Sequence, residues 1–295
     1  MSAEVNPGAR PERNVLAETW CMARAEAIEM FLSIRALFLV ITYGGIAGGI
    51  GAIVVWLDGK MEGKLAEASQ KAAELSVTEK ASLVEQITKQ GMVSQTLAEA
   101  IVNGDLPPLV LTILYTSTFA IPILIILVGY NRIAEDVSSR YTRYVLQRIH
   151  RGAYLAGKII GHFLVCFTAV VLVHVLLLGL AKAYDIFDLG RTVQAMPRIW
   201  LGMACFVLAY VSYTVLFSSL LQPPFLVLLI ASMGLFLIRF LTWVLSFFWA
   251  PLGEIWLGVW DVRLWALEPA AIGVFLGYAV VFIALAQLAL RRRDL

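Results

Sequence analysis

The sequence predicts an all-α integral membrane protein that crosses the bilayer six times. Hydrophobic residues make up 60% of its 295 residues and charged residues 15%, whereas soluble domains carry about 25% charged residues. A transmembrane helix needs roughly 20 consecutive apolar residues. Six such stretches predict a permease-like domain over 36–295, with spans at about 36–56, 109–129, 159–181, 199–221, 225–250 and 270–290.

Residues 1–35 precede the first span, and their sequence pattern predicts a tail followed by an amphipathic helix. Asn14 is a suitable N-cap, and apolar residues recur on one side of the helix at Leu16, Trp20, Ala23, Ala27, Phe31 and Ile34. A helix of this kind lies in the membrane interface. The polar start differs from a cleaved signal peptide, which has an early apolar run.

The first span contains a cluster of glycines that predicts close helix packing. Gly44, Gly45, Gly48 and Gly49 form two overlapping GxxxG spacings, which allow another helix to approach closely. The partner helix belongs either to a second subunit or to this chain, and the pattern leaves both open.

The segments between spans predict two helical features on the outer side. Residues 57–108 indicate a small helical insertion, too short for an independent catalytic domain, and they contain no His or Cys. Trp256, Trp260 and Trp265 lie between the fifth and sixth spans at helical spacing. Because tryptophan favours the membrane interface, we expect an outer helix or re-entrant pair there.

The distribution of positive charge predicts that both termini are cytoplasmic. The segments on the side of the termini hold 13 Lys and Arg residues, against 9 in the segments on the other side. Lys and Arg next to spans accumulate on the cytoplasmic side. Arg291–Arg293, directly after the last span, point the same way.

The polar segment 131–158, between the second and third spans, is the main candidate for function. We expect one helix with an apolar face, because apolar residues recur at spacings of three and four, at Ile133, Val137, Tyr141, Tyr144, Val145 and Ile149. The other faces carry Arg132, Glu135, Asp136, Arg140, Arg143 and Arg151. Such a helix is suited to docking a partner protein. Attraction of its arginines to anionic lipid is the alternative.

Other motifs argue against an enzyme. Gly152–Ile159 has the glycine and lysine spacing of a nucleotide-binding P-loop, but Ile159 replaces the required Ser or Thr. The cysteines, Cys21, Cys166 and Cys205, lack the spacing of metal ligands. Of the histidines, His162 and His174 lie within spans, and we expect them to be hydrogen-bonded inside the bundle. The sequence therefore predicts no cofactor or metal site in this chain.

Arg239 is the ionised residue that lies deep in a predicted span. An intramembrane charge is costly and marks a candidate functional residue. The alternative is an arginine whose side chain reaches the outer headgroups.

The layout and the polar segment resemble the type-2 permeases of ATP-binding-cassette (ABC) transporters. Members of that family have an amphipathic N-terminal helix, six spans and a cytoplasmic coupling helix between spans two and three. The resemblance is carried by Glu135–Asp136, Arg148, Arg151, Gly157–Lys158 and the closing Arg292–Asp294. The family's Gly-Thr pair is missing near Ser138–Arg140, and Ile149 stands where the family has proline.

The resemblance implies a transport subunit without its own nucleotide-binding site. It implies separate ATPase subunits that bind ATP and magnesium, and a second copy or a sister permease as the dimer partner. It also implies alternating access, contact with the lipid bilayer, and no nucleic-acid partner. Family habit favours export. The excess of arginine over lysine, together with abundant alanine, indicates a bacterial source, and we expect the permease in the inner membrane of such a cell. The candidate coupling residues are Glu135, Asp136, Arg140, Arg143, Arg148 and Arg151.

Two other functions remain open at this point. The first is a membrane subunit of an assembly or maturation machine that resembles an ABC permease. The second is an ion-coupled secondary transporter, a class that carries ionisable residues near the midplane. The predicted spans hold Arg239 and two histidines but no carboxylate, which disfavours the second. The transported substrate is not identified by the sequence.

Overall fold

The structure is a computed structural model that describes residues 14–60, 80–82, 85, 108–183, 189–246, 248 and 257–292. No β-strand occurs in these ranges. The named helices are α1 (Val15–Phe31), α2 (Ile34–Lys60), α3 (Pro108–Gly129), α4 (Ala134–Ser138), α5 (Tyr141–Arg148), α6 (Arg151–Ala183), α7 (Leu189–Leu220), α8 (Pro224–Ser246), α9 (Leu257–Trp265) and α10 (Pro269–Arg292).

The described part of the chain has six helices that are long and apolar enough to cross a membrane, namely α2, α3, α6, α7, α8 and α10. This confirms the predicted all-α integral membrane class. The predicted third span lies inside α6, which begins earlier, at Arg151. Most of the predicted insertion 57–108 lies outside the described residues, whereas α9 lies where the tryptophan-rich outer helix was expected.

Helix α1 begins at the predicted cap. The side-chain oxygen of Asn14 accepts from the backbone N–H groups of Leu16 and Ala17 at 3.1 and 3.2 Å. The predicted apolar side is largely exposed, with Leu16 and Trp20 exposed by 81% and 63%. A membrane interface is a suitable environment for such a surface. The bundle contacts α1 through the buried residues Ala23, Glu26 and Met30, of which Ala23 alone belongs to the predicted apolar side.

Helix α7 lies at the centre of the bundle and contacts α3, α6 and α10. Its Phe206 packs against the rings of Tyr210, Trp265 and Phe275, with centroids 4.8, 5.2 and 5.8 Å away. These contacts join α7, α9 and α10 in one apolar core. Helix α8 contacts α7, α3 and α4 and is the least buried of the six long apolar helices in the described part of the chain.

A chain of neutral hydrogen bonds links four spans inside this core. Trp200 Nε1 donates to His174 Nδ1 at 3.3 Å, and the other ring nitrogen of His174 lies 2.8 Å from the Tyr43 hydroxyl. A neutral imidazole has one donor and one acceptor, so His174 donates to Tyr43. Tyr43 then donates to Ser117 Oγ at 2.6 Å, and Ser117 donates to the Ile113 carbonyl. We call Tyr43, Ser117, His174 and Trp200 the polar chain; it confirms the prediction for His174.

Candidate coupling site

The polar segment between α3 and α6 forms two short helices, not the single helix that its periodicity predicts. Helix α4 ends at a turn in which Arg140 has a left-handed backbone, with φ of 61°. Helix α5 follows and ends at Ile149, whose extended backbone leads into α6. Left-handed backbone is uncommon for residues other than glycine, so the spacing of apolar residues did not reveal this break.

Helix α4 is attached to the end of α7. Ser218 Oγ accepts from the backbone N–H groups of Ile133 and Ala134, both at 3.0 Å. These groups lie at the start of α4, where backbone donors lack partners within the helix. The Ser218 hydroxyl therefore fixes the position of α4 on the bundle.

Glu135 lies on α4 and is exposed, yet it takes part in a side-chain network. Its carboxylate accepts from the Asn131 side-chain amide, whose oxygen accepts from the Arg35 guanidinium. Arg35 lies at the start of α2. The network therefore connects the candidate coupling residue Glu135 to the first span.

Helix α5 presents a basic and aromatic surface to its surroundings. We define the α5 surface as the exposed residues Arg140, Tyr141, Arg143, Tyr144 and Arg148. Tyr141 and Tyr144 are exposed by 51% and 70%, so their predicted place on the apolar face is wrong. The left-handed turn at Arg140 restarts the helix, which rotates both tyrosines outward beside the arginines.

Behind the α5 surface lies a buried group of charged side chains. Lys158 Nζ on α6 lies 2.7 Å from Glu26 Oε2 on α1 and 2.9 Å from Asp136 Oδ2 on α4. Arg132 Nη1 lies 3.5 Å from Glu26 Oε1, and the Tyr154 hydroxyl donates to Asp136 at 2.7 Å. We call Glu26, Arg132, Asp136, Tyr154 and Lys158 the ion cluster; it joins α1, α4 and α6.

The ion cluster is buried and its charges depend on each other. Glu26, Arg132 and Lys158 are 3%, 7% and 5% exposed, which contradicts the expected outward position of Arg132. Burial raises the pKa of the Glu26 carboxyl, and the Lys158 and Arg132 cations act against this effect. Removing one member of a buried pair leaves an uncompensated charge, so all of these residues are needed together.

Two glycines of α6 allow α1 to reach the ion cluster. A Cβ atom at Gly157 would lie 2.4 Å from Met22 Cβ, and one at Gly161 would lie 2.6 Å from Glu26 Cβ. Any side chain there would displace α1. Gly157 and Gly161 thus form a GxxxG contact of the kind that lets helices approach closely, and it brings Glu26 beside Lys158.

Two further contacts hold the same end of the bundle together. A Glu18 carboxylate oxygen on α1 accepts from the backbone N–H of His150 at 2.8 Å, directly before α6. The Arg151 guanidinium donates to the carbonyl oxygens of Leu290 and Arg291 at 3.2 Å each. A cation is stabilising near a helix C-terminus, so Arg151 holds the end of α10 and does not belong to the α5 surface.

The structure thus divides the six candidate coupling residues into two groups. Arg140, Arg143 and Arg148 are exposed on or beside α5. The remaining three, Glu135, Asp136 and Arg151, form contacts within the chain. The side chain of the other candidate, Arg239 on α8, lies outside the described residues.

Sequence reasoning missed the roles of Glu26, Arg132 and Lys158 in the ion cluster. One signal was present, because Ala23, Glu26 and Met30 recur at spacings of three and four and share a helix face. All three are buried against α6 or its neighbours. A glutamate among small and apolar residues of this face indicates a buried cation on the opposing helix.

A family model described as "ABC-2 family transporter protein" matches residues 27–259. The match includes the α5 surface, most of the ion cluster and most of the membrane-spanning part. The chain belongs to the ABC-2 transporter family. A search of curated proteins finds no match.

As an ABC-2 permease, the chain is a multi-pass membrane subunit of a family whose permeases lack a nucleotide-binding domain. The residues whose spacing resembles a P-loop, Gly152–Ile159, lie within α6. Their lysine, Lys158, pairs with the carboxylates of Glu26 on α1 and Asp136 on α4. Within the described ranges, no group of three His, Cys, Asp or Glu side chains is arranged to hold a metal ion.

The prediction that His162 is hydrogen-bonded is wrong for the part of the chain that the structure describes. Both ring nitrogens of this fully buried residue lack a hydrogen-bond partner there. The ring lies against Gly129, where an added Cβ would come within 2.0 Å of it. His162 therefore fills space at the end of α3.

Proposed function

We propose that this ABC-2 permease couples ATP hydrolysis in separate ATPase subunits to transport across a bacterial inner membrane. Both termini and α5 face the cytoplasm, and the ATPase subunits bind ATP and magnesium. Two permease subunits form the pathway, which opens by alternating access. The direction is export, following the habit of the family.

One observation carries this proposal: α5 is exposed on one side and tied to the bundle on the other. Its outer side is the α5 surface, with three arginines and two tyrosines. Its inner side continues into α4, where Asp136 contacts Lys158 and Tyr154 of α6. Arginine and tyrosine are enriched among the residues that dominate protein interfaces, and an acidic surface on the ATPase would complement the charge.

The contacts behind α5 give a route for movement. A push on α5 would move α4 and would reach α6 through the contact of Asp136 with Lys158. It would reach α7 through Ser218, which accepts from the backbone at the start of α4. It would reach α1 through Glu26. Because these helices are packed and hydrogen-bonded to α4, closure of the ATPase dimer would shift several spans together and not α5 alone.

The test is charge reversal on the α5 surface, with Arg143→Glu and Arg148→Glu combined in the full chain. We expect the amount of ATPase that co-purifies with the permease to fall about tenfold or more, since a tenfold change corresponds to about 1.4 kcal/mol and like-charge contacts cost more than this. In the described residues, neither the Arg143 nor the Arg148 side chain forms a hydrogen bond or an ion pair that the substitution would remove.

Arg24→Glu is the matched control, because Arg24 is an exposed arginine on α1 at the same end of the bundle. We expect the control to retain the ATPase, and both variants to reach the membrane in normal amount. Undiminished co-purification with the double α5 variant would overturn the proposal. Equal loss with Arg24→Glu would assign the effect to overall charge.

A further inference from the structure

An arginine of the ion cluster lies between two glutamates of α1. Arg132 Nη1 lies 3.1 Å from Glu29 Oε1 and donates a hydrogen bond to it. The same nitrogen lies 3.5 Å from Glu26 Oε1, and that oxygen has no hydrogen-bond partner among the described residues. The two carboxylates therefore compete for one guanidinium, and the structure shows the arrangement in which Glu29 holds it.

The two glutamates differ in their environment. The Glu29 side chain is 72% exposed, whereas that of Glu26 is buried. Water competes for an exposed ion pair, which is weak for this reason, whereas a charge-assisted hydrogen bond is stronger where the local dielectric is low. The bond to Glu29 is therefore the more easily broken of the two that Arg132 can form.

Two unpaired atoms show which bond would replace it. Arg132 Nε is a buried donor and Glu26 Oε1 is a buried acceptor, and neither has a hydrogen-bond partner within the described ranges. Unpaired buried polar groups are unfavourable, and a bond from Nε to Oε1 would pair both atoms at once. Lys158 would stay in place, because it lies 2.7 Å from the other carboxylate oxygen of Glu26.

The position of α4 relative to α1 decides between the two bonds. Arg132 lies just before α4, while Glu26 and Glu29 lie on α1 and are separated by about 4.5 Å along the helix axis. Movement of the start of α4 along α1 towards Glu26 would favour the buried bond. Movement in the other direction would favour the bond to Glu29.

We propose that Glu29 is a positioning residue for the coupling movement. It holds Arg132 in the resting arrangement, and a push on α5 moves α4 and transfers the guanidinium from Glu29 to Glu26. The bond gained with Glu26 offsets the bond lost with Glu29, so α1 and α4 have two discrete arrangements, as switching elements do. This inference rests on the proposed function, in which closure of the ATPase dimer supplies the push.

The first test measures the transfer in the permease alone. The full chain is prepared with isotope-labelled arginine, and the Nε–H signal of Arg132 in nuclear magnetic resonance spectra is identified by its loss in Arg132→Lys. Glu29→Gln keeps the shape of the side chain and removes the competing charge. We expect the proton of this Nε–H group to shift to higher frequency in Glu29→Gln, because it gains a carboxylate acceptor. The shift should be absent when Glu29→Gln is combined with Glu26→Gln.

The second test measures the movement in the complex purified with its ATPase subunits. Hydrogen exchange of peptides from α1 is compared before and after trapping with ATP and vanadate. We expect wild-type α1 to change its exchange on trapping, and Glu29→Gln to show the exchange of the trapped state already without nucleotide. ATPase co-purification should be unchanged, because Glu29 does not belong to the α5 surface. Arg24→Gln is the matched control, since it removes another exposed charge of α1 and should retain the nucleotide-dependent change.

Three results would contradict these proposals and can be told apart. An unchanged Arg132 signal in Glu29→Gln overturns this inference and leaves the proposed function in place, because no ATPase takes part in that measurement. With the ATPase bound, a nucleotide-dependent change in Glu29→Gln equal to that of the wild type also overturns this inference. A wild-type permease that binds no ATPase overturns the proposed function, while the signal shift still decides whether Arg132 changes its partner.

Discussion

The two buried polar networks of this protein differ in charge and in how many of their polar atoms have a hydrogen-bond partner. The polar chain is neutral, and each step from Trp200 to Ser117 pairs a donor with an acceptor. The ion cluster is charged, and within the described residues Glu26 Oε1 and Arg132 Nε have no hydrogen-bond partner. Both networks use α6, with His174 about 24 Å along the helix from Lys158 at about 1.5 Å per residue.

The difference indicates a division of roles along α6. Fully paired neutral groups in a low-dielectric interior hold their partners in one arrangement, so the polar chain keeps α2, α3, α6 and α7 together. Charged groups with unpaired atoms have alternative pairings available, and the ion cluster joins α6 to the helices behind the α5 surface. We infer that the polar chain maintains the bundle while the ion cluster allows the coupling end to adjust.

The largest effect is expected from removing the central cation of the ion cluster. Lys158→Met leaves the buried Glu26 carboxylate and the half-buried Asp136 carboxylate without their shared partner. Breaking a buried ion pair costs about 3–5 kcal/mol, so thermal unfolding in mild detergent should shift to clearly lower temperature. Lys182→Met is the matched control, because Lys182 is an exposed lysine in the last turn of the same helix, where a cation contributes at most about 1 kcal/mol.

The pairing itself is tested by a double variant. If Lys158 stabilises the protein through Glu26, then Lys158→Met should lower the free energy of unfolding by less when Glu26→Gln is already present. The reason is that the effects of substitutions at contacting residues are not additive. Equal costs of Lys158→Met in the two backgrounds would contradict the ion cluster as described.

A smaller effect is expected from the helix contact that brings Glu26 to Lys158. Gly161→Leu would push against Glu26 on α1, and overpacking of this kind lowers the free energy of unfolding by roughly 1–3 kcal/mol. Gly179→Leu on the same helix is the control, because its added Cβ meets no atom within 4 Å. Limited proteolysis should cleave near α1 faster in Gly161→Leu only; equal cleavage in the two variants would refute the close contact of α1 with α6.

The smallest effect is expected in the polar chain. Tyr43→Phe removes one hydroxyl, so His174 Nε2 loses its acceptor and Ser117 Oγ loses its donor, while their bonds to Trp200 and Ile113 remain. This loss should lower the free energy of unfolding by roughly 1–2 kcal/mol. Thermal unfolding should report this loss, while ATPase co-purification should stay at the wild-type level. Tyr144→Phe serves as a control for stability, because Tyr144 is exposed on α5.

The two networks should also act independently. Because they lie about 24 Å apart along α6, the costs of Tyr43→Phe and Lys158→Met should add to within about 0.5 kcal/mol. A strong departure from additivity would mean that the two ends of α6 respond as one unit. It would contradict the separate roles inferred for the polar chain and the ion cluster.

The fold was predictable because its elements are specified locally. Long apolar runs determine the six spans, and the Asn14 cap determines the start of α1. The break between α4 and α5 was not predictable in this way, because Arg140 adopts a backbone conformation that most residues avoid. The exposed tyrosines of α5 follow from that turn.

The sequence indicated only one of the two parts of the candidate site. The exposed arginines lie in one short segment, so their number and spacing drew attention to α5. The ion cluster is assembled from α1, α4 and α6, and it depends on a glycine pair in α6 that faces Met22 and Glu26 far away in the chain. Local periodicity contains no information about which helix meets which, so this part required the tertiary structure.

The most direct test of the central claim places a photoreactive amino acid at Tyr144, on the α5 surface. Leu16 is the reference position, because it lies on α1 and is 81% exposed. The account predicts that illumination of native membranes joins position 144 to an ATPase subunit carrying a P-loop, with little or no such product from position 16. Adducts of position 144 with lipid alone would contradict the claim that α5 docks an ATPase.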